Sequence, residues 1–440
     1  MGTIRKLWVW AAVAVLSGAP VGAQTAATAP PAGEAPSAPR ATRAGFSVDR
    51  LKRVDAVLDQ YVQENKVAGV VALVLRNGQP VYERAAGWAD KEANRKMTPD
   101  AIFRIASQTK AITSAAVLVL VEESKIGLND PVSRFIPAYA KTTVAVRSDS
   151  GVNFVPAKRP ITIKDLLTHT AGISYGVQPD VAKAYEEKGL GPAAGFGWYT
   201  ADKSEPVCDT MERLASLPFV AQPGEAWVYG YNTDILGCVV EKASGKNLDE
   251  FIRARITGPL GMKDTSFFLP PEKKNRLAAV YTVSNGALTR APDGPRGQGN
   301  YVEGPRRSFA GGAGLLSTIR DYSRFLEMIR NGGSLGGARI LAPRTVALMN
   351  HNQIGTLHST NGLGFGLGFQ TTDQVGANGL EPVDSYGWAG AYGSVYRIDP
   401  TAGIDVLMMI QLLPNTTDLA ARYQAAVHQA FTENVPHPHR

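Results

Sequence analysis

Ala106-Ser107-Gln108-Thr109-Lys110-Ala111-Ile112-Thr113-Ser114-Ala115-Ala116-Val117-Leu118-Val119-Leu120 is the stretch on which the reading of this chain turns. Ile112, Ala115, Ala116, Val119, Leu120 and Glu123 recur at helical spacing and Gly127 ends the run, which predicts a helix with Ser107 at or near its N-terminus. Lys110 lies three residues on and shares a face with Ser107. The free N–H groups and positive dipole end of a helix start favour an alkoxide and an oxyanion. A lysine takes a serine proton only as the free amine, and burial and the positive helix end both work against its ammonium form. Ser-x-x-Lys by itself says little, because composition gives roughly one by chance in a chain this long. Its plain structural reading is an N-capping serine beside a solvent-facing lysine. The surroundings weigh against that reading: Ile102, Phe103 and Ile105 precede the serine, an apolar helix follows it, and no second Ser-x-x-Lys occurs.

Outward from this segment, both ends of the chain carry the same kind of pattern. Ser47 can cap a helix with Leu51, Val54, Leu58 and Tyr61 on one face. Val70 to Leu75 is a β-branched run, followed by Asn77-Gly78 and then Val81 to Ala86, a strong hairpin signal. Near the other end, Ser394 to Ile398 and Ile404 to Gln411 flank Asp399-Pro400 and Gly403 as a second hairpin, and a helix from about Leu419 to Thr432 follows. The middle, roughly 111–310, is richer in helix, Pro and Gly. This layout predicts an α/β (α+β) fold: an antiparallel sheet assembled from both ends, flanked by helices, with a mostly helical region inserted.

The net charge is +7, but Lys and Arg are scattered among nearly as many acids, so a nucleic-acid footprint is not expected. Arg5-Lys6, the apolar Leu7 to Leu16 and the small residues Val21-Gly22-Ala23 read as a secretory signal over 1–23, cleaved after Ala23. The apolar run is too short for a stable membrane span after processing. Ala- and Pro-rich residues 24–43 read as a linker, which leaves 44–440 as the globular domain and points to an exported, periplasmic or secreted protein. Export permits a disulfide between Cys208 and Cys238, although Cys238 lies in the apolar run Ile235 to Val240, where a buried free thiol fits equally well. The histidines and cysteines have no zinc-like spacing, and neither a metal nor a cofactor is implied.

The chain also holds a rival nucleophile. Gly172-Ile173-Ser174-Tyr175-Gly176 fits Gly-x-Ser-x-Gly, but that elbow requires a strand before the serine and a helix after it. Here Ile163 to His169 reads as a short helix, and Val177-Gln178-Pro179 does not begin one. His169 fits a residue that ties down the turn better than a base.

Phe103-Arg104-Ile105-Ala106-Ser107-Gln108-Thr109-Lys110 resembles the nucleophile motif of the serine β-lactamase and penicillin-recognising superfamily, most closely its class C-related branch with the family VIII carboxylesterases. Leu166 to Ile173, Gln222 to Tyr229, Pro259-Leu260-Gly261-Met262 and Gly311-Gly312-Ala313-Gly314-Leu315 extend the likeness over about 47–430. The resemblance implies Ser107 as acylated nucleophile, Lys110 as its base and Tyr229 as the tyrosine that shares the proton. It implies that Trp388-Ala389-Gly390 is the third motif, with the Ala391 N–H as an oxyanion donor beside that of Ser107. The sequence departs from β-lactamases twice. Trp388 replaces a cation, offering an apolar wall and one N–H donor, and Tyr231 stands where an asparagine amide is usual, with Asn232 one position late. Both departures resemble the esterase branch. The expectation is therefore a serine hydrolase for short-chain esters, with a small-molecule ester or amide as its partner. A β-lactamase or D-amino-acid-specific peptidase is the neighbouring alternative. A non-catalytic penicillin- or peptidoglycan-binding module is the alternative of another class, against which the intact Ser107, Lys110 and Tyr229 set counts.

Overall fold

Ser47 caps the first helix, α1 (Val48–Gln63), its hydroxyl accepting from the Arg50 N–H at 3.4 Å, and the helix buries Leu51, Val54, Leu58 and Tyr61 as their spacing predicts. β1 (Gly69–Arg76) and β2 (Gln79–Asp90) pair antiparallel, and β3 (Arg95–Lys96) continues the edge. Asn77 and Gly78 at the turn both have positive φ, 50° and 77°, the backbone a two-residue hairpin between right-twisted strands needs. After these strands come α2 (Thr109–Glu122), α3 (Asn232–Ser244) and α4 (Ile319–Arg330). The sheet is then completed by β4 (Leu363–Phe365), β5 (Gln370–Thr372), β6 (Tyr386–Ala389), β7 (Val395–Asp399) and β8 (Ile404–Met409), and α5 (Leu419–Ala430) follows. The computed structural model describes residues 42–149, 151–191, 201–295 and 297–434. The expected leader and nearly all of the expected linker lie outside the described residues. The last two linker residues, Thr42–Arg43, pair with Phe46–Ser47.

The eight strands run in the order β4-β5-β6-β7-β8-β1-β2-β3, antiparallel throughout, so β1 from one end of the chain lies beside β8 from the other. β1 is an unbroken apolar run because both faces of the sheet are covered. On one face, Val70, Ala72 and Val74 share a cluster with Val54 and Leu58 of α1 and with Leu419, Tyr423 and Val427 of α5. On the other, Val71, Leu73 and Leu75 join the larger cluster that holds Phe325, Leu326 and Ile329 of α4 and the apolar residues of α2. From Thr109 to Leu120 every residue of α2 is buried, as expected of a helix apolar on all sides.

The region between β3 and β4 holds most of the helices and, among the described residues, three hairpins, Thr143–Ser148 with Gly151–Pro156, Tyr281–Ser284 with Ala287–Arg290 and Ser334–Leu335 with Ala338–Arg339. Two details differ from the sequence reading. The short strands β4 and β5 were not anticipated, because glycines interrupt their apolar pattern. A helix does begin at Pro179 and runs to Glu187, with the proline in its first turn where a missing N–H is tolerated. Of the two states the sequence allows for the cysteines, the structure has the disulfide: Cys208 and Cys238 link the Val207–Leu214 helix to α3.

Candidate active site

The start of α2 is pinned from several sides. Ala106 takes a positive φ of 45°, unusual for a residue with a side chain, and Ala106–Gln108 form one 3₁₀ turn that leads into the helix. The Ile105 N–H donates to Leu315 O, the Leu315 N–H to Thr109 Oγ1, and the Tyr322 hydroxyl to Gln108 O. Strain at a residue held this firmly costs on the order of 1–3 kcal/mol and is met most often at functional sites. It leaves Ser107 half-buried at the positive end of the helix, between Ala106 and Gln108, which are both buried.

Lys110 is 3% exposed, and its Nζ reaches three oxygens: Ser107 Oγ at 3.2 Å, Tyr175 OH at 3.1 Å and Gly312 O at 2.7 Å. The same nitrogen lies 4.7 Å from the centre of the Tyr229 ring. The Tyr229 hydroxyl accepts from Trp388 Nε1 at 3.2 Å. Gly230 lets this loop approach the Ile173–Ser174 backbone, since a Cβ there would stand 2.3 Å from Ile173 O. Gly390 does the same where β6 passes the nucleophile turn, with a Cβ meeting Ile105 O at 2.6 Å. The exposed Ala391 follows in a tight turn, and among the described residues its N–H has no backbone acceptor.

Behind Lys110 sits a carboxylate that the sequence reading passed over. The Gly312 N–H donates to Asp234 Oδ1 at 3.0 Å, so Gly312 joins the amine of Lys110 to a fully buried acid on the first turn of α3. Burial pushes the Asp234 carboxyl up to about 6, against the opposing pull of Lys110 and of the Gly312 N–H. A nucleophile and a buried amine beside two tyrosines and an open N–H at a strand end can perform acyl transfer: attack, proton acceptance and oxyanion support all lie within reach of one carbonyl.

Residues 54–431 match the beta-lactamase family. The chain belongs to the beta-lactamase family. Within it, the chain is 34% identical over 384 residues to the esterase EstB of Burkholderia gladioli, covering 83% of this chain and 92% of that one. It is 30% identical over 398 residues to the lovastatin esterase of Penicillium rubens, covering 84% and 95%. Among solved structures, EstCE1, a hydrolase with promiscuous acyltransferase activity, superposes with a TM-score of 0.73 at 29% identity, covering 87% of this chain and 98% of that one.

In this member of the beta-lactamase family, Ser107, Lys110, Tyr229, Trp388 and Gly390 lie close together: Lys110 Nζ meets Ser107 Oγ and the Tyr229 ring, Tyr229 meets Trp388, and Gly390, followed by Ala391, passes the Ile105 carbonyl. Tyr231 is elsewhere: it is 1% exposed, its hydroxyl donates to Leu190 O at 3.0 Å, and its ring backs that of Tyr175 at 5.0 Å. Trp388 also differs in detail, because its N–H donor is engaged by Tyr229 rather than left for a ligand. Ser174 is fully buried in a loop and its Oγ accepts from the Gly176 N–H at 3.0 Å, so the Gly-x-Ser-x-Gly stretch builds a turn. His169 is tied down as expected: Asn232 Nδ2 lies 2.9 Å from its Nδ1, and its carbonyl accepts from the Val228 N–H. Tyr175, like Asp234, is a neighbour of Lys110 that the sequence does not single out. It follows Ser174 in the Gly-x-Ser-x-Gly stretch, where no local pattern marks it. Among the described residues, no group of three or more His, Cys, Asp or Glu side chains could hold a metal.

Proposed function

We propose that this protein is a carboxylesterase that hydrolyses short-chain esters through an acyl-enzyme on Ser107. The chain is a serine hydrolase of the beta-lactamase family, and its likeness to the esterase EstB and to EstCE1 supports the esterase branch. The observation that carries the reading is the buried Lys110 amine within 3.2 Å of Ser107 Oγ, in a cleft where Trp388 stands in place of a cation.

In the proposed reaction Ser107 Oγ bonds to the ester carbonyl carbon while its proton passes to Lys110 Nζ. The carbonyl oxygen gains negative charge and meets the N–H groups of Ser107 and Ala391, each such donor being worth about 2.7–4 kcal/mol to the transition state. As the intermediate collapses, the bond to the alkoxy oxygen breaks and the alcohol leaves with the proton, delivered by Lys110 with Tyr229 alongside. Water then adds to the acyl carbon, gives its proton to the same amine, and the carboxylic acid leaves as Ser107 regains its hydrogen. Tyr175 and Gly312 hold the amine on line for both halves.

Export is part of the proposal. The leader read over 1–23 and the Cys208–Cys238 disulfide both support an oxidising, extracytoplasmic setting. Among the described residues, no helix is long and apolar enough to cross a membrane.

Parallel steady-state measurements test the substrate class. A β-lactam brings a carboxylate that wants a cation, and Trp388 offers none. We expect kcat/KM for p-nitrophenyl acetate or butyrate to exceed that for nitrocefin by at least about tenfold, or ~1.4 kcal/mol. Nitrocefin turnover equal to or faster than ester turnover would replace the esterase reading with a β-lactamase.

A further inference from the structure

We infer that the cleft beside Ser107 is shaped for esters that carry an uncharged aromatic ring, seated on a wall formed by Trp227, Tyr229, His358 and Trp388. The inference rests on the carboxylesterase reading and narrows its substrate class.

The wall begins at the chemistry. The Tyr229 ring lies under Lys110 Nζ, and the Trp388 ring stands 5.5 Å from it, bonded to its hydroxyl through the indole N–H. Trp227 extends the surface: it is stacked on Tyr229 at 5.8 Å with 19° between planes, and meets Trp388 edge-on at 6.3 Å. His358 continues it at 4.2 Å from Trp227. All four rings are partly exposed. Two buried rings support them from behind. Phe365 lies 5.5 Å from Trp388, 5.7 Å from Trp227 and 5.9 Å from His358, and His169 lies 4.9 Å from Tyr229. The members come from separate stretches of chain: the loop before α3, the residues leading into β4, and β6. The packing of a single helix or strand does not collect them.

The surface is also uncharged. Burial, reinforced by Arg397, pushes His358 down to about 4, so its ring is neutral at neutral pH, and Gln370 Nε2 lies 2.9 Å from the ring Nε2. Buried His169 is likewise held far below its ordinary value by burial and by Lys110. None of these four side chains offers a cation to an anionic group. A saturated chain gains buried area only, whereas a flat ring gains the stacked and edge-on contacts that ring faces favour in addition.

Two matched ester pairs separate flatness from size: benzyl acetate against cyclohexylmethyl acetate, and methyl phenylacetate against methyl cyclohexylacetate. With the purified protein we expect kcat/KM to favour the aromatic member by about 3- to 10-fold in at least one pair. In Trp227→Leu that ratio should fall to within about twofold of unity. Ratios near one in both pairs, with ester hydrolysis intact, would overturn the aromatic wall and leave the carboxylesterase reading standing. A folded Trp227→Leu with an unchanged ratio would also overturn it. No turnover of any of the four esters while p-nitrophenyl acetate is hydrolysed would overturn the aromatic wall alone, and no turnover of p-nitrophenyl acetate either would overturn both readings.

Discussion

At the residue scale the chemistry concentrates on one nitrogen. Lys110 Nζ meets Ser107, Tyr175 and Gly312 and lies over the Tyr229 ring, so each neighbour has a distinct test. Lys110→Ala and Tyr229→Phe should each slow acylation by about 10²–10⁴, the range for losing a general base. Tyr175→Phe, which removes one bond that aims the amine, should cost about tenfold or somewhat more. Because the groups act as a unit, the double variants should lose less than the product of the singles. Stopped-flow acylation measures all of these, and an unchanged rate in Tyr229→Phe would leave that ring a packing residue. Asp234 has a signature in stability. Its carboxyl ionises near the ordinary 3.8 in the unfolded chain but only above about 6 in the folded protein, because burial opposes the charge. The folded state therefore holds an extra proton between about pH 4 and 6, and stability falls as pH rises through that window. Asp234→Asn keeps an acceptor for the Gly312 N–H and removes the charge. It should be more stable than the parent by about 2–3 kcal/mol above pH 6, with the gain gone below pH 4. Chemical denaturation at pH 4 and pH 8 checks this, and equal gains at both would contradict it.

At the scale of elements, the sequence was most legible where local pattern and burial agree. Ser47 with Leu51, Val54, Leu58 and Tyr61 specified α1, and Asn77-Gly78 specified the first hairpin, because one-sided burial and positive φ leave direct marks on residue choice. The nucleophile turn was legible for the same reason. Tyr175, Asp234 and Gly312 were not, since what makes them matter is a meeting of three distant segments at Lys110, which no local period encodes. Tyr231 shows the converse: alignment of motifs put it beside the substrate, yet two residues along the chain from Tyr229 its side chain points into the core. The disulfide was left open by the sequence because an apolar helix suits a thiol as well as a half-cystine. It closes a segment with a sequence separation of 30 between the Val207–Leu214 helix and α3, which carries Asp234. Loop-closure entropy gives such a link about 3–4 kcal/mol. Denaturation with and without a reductant should show a loss of that order, and an unchanged midpoint on complete reduction would contradict it.

For the whole molecule, the sheet joins the two ends of the chain and so brings β6, with Trp388 and the turn at Ala391, against the turn that leads into α2. Ser107, Lys110, Tyr229 and Trp388 are then neighbours. That architecture was readable from the paired patterns at 47–86 and 394–432, while the short strands β4 and β5 that carry the sheet past Trp388 were not. Everything else rests on acylation of Ser107. Treating the purified protein with a serine-directed fluorophosphonate, followed by intact mass and peptide mapping, tests it directly. A single adduct on Ser107 is expected, absent from Ser107→Ala and retained in Ser174→Ala. An adduct on Ser174, or a folded and active Ser107→Ala, would contradict it.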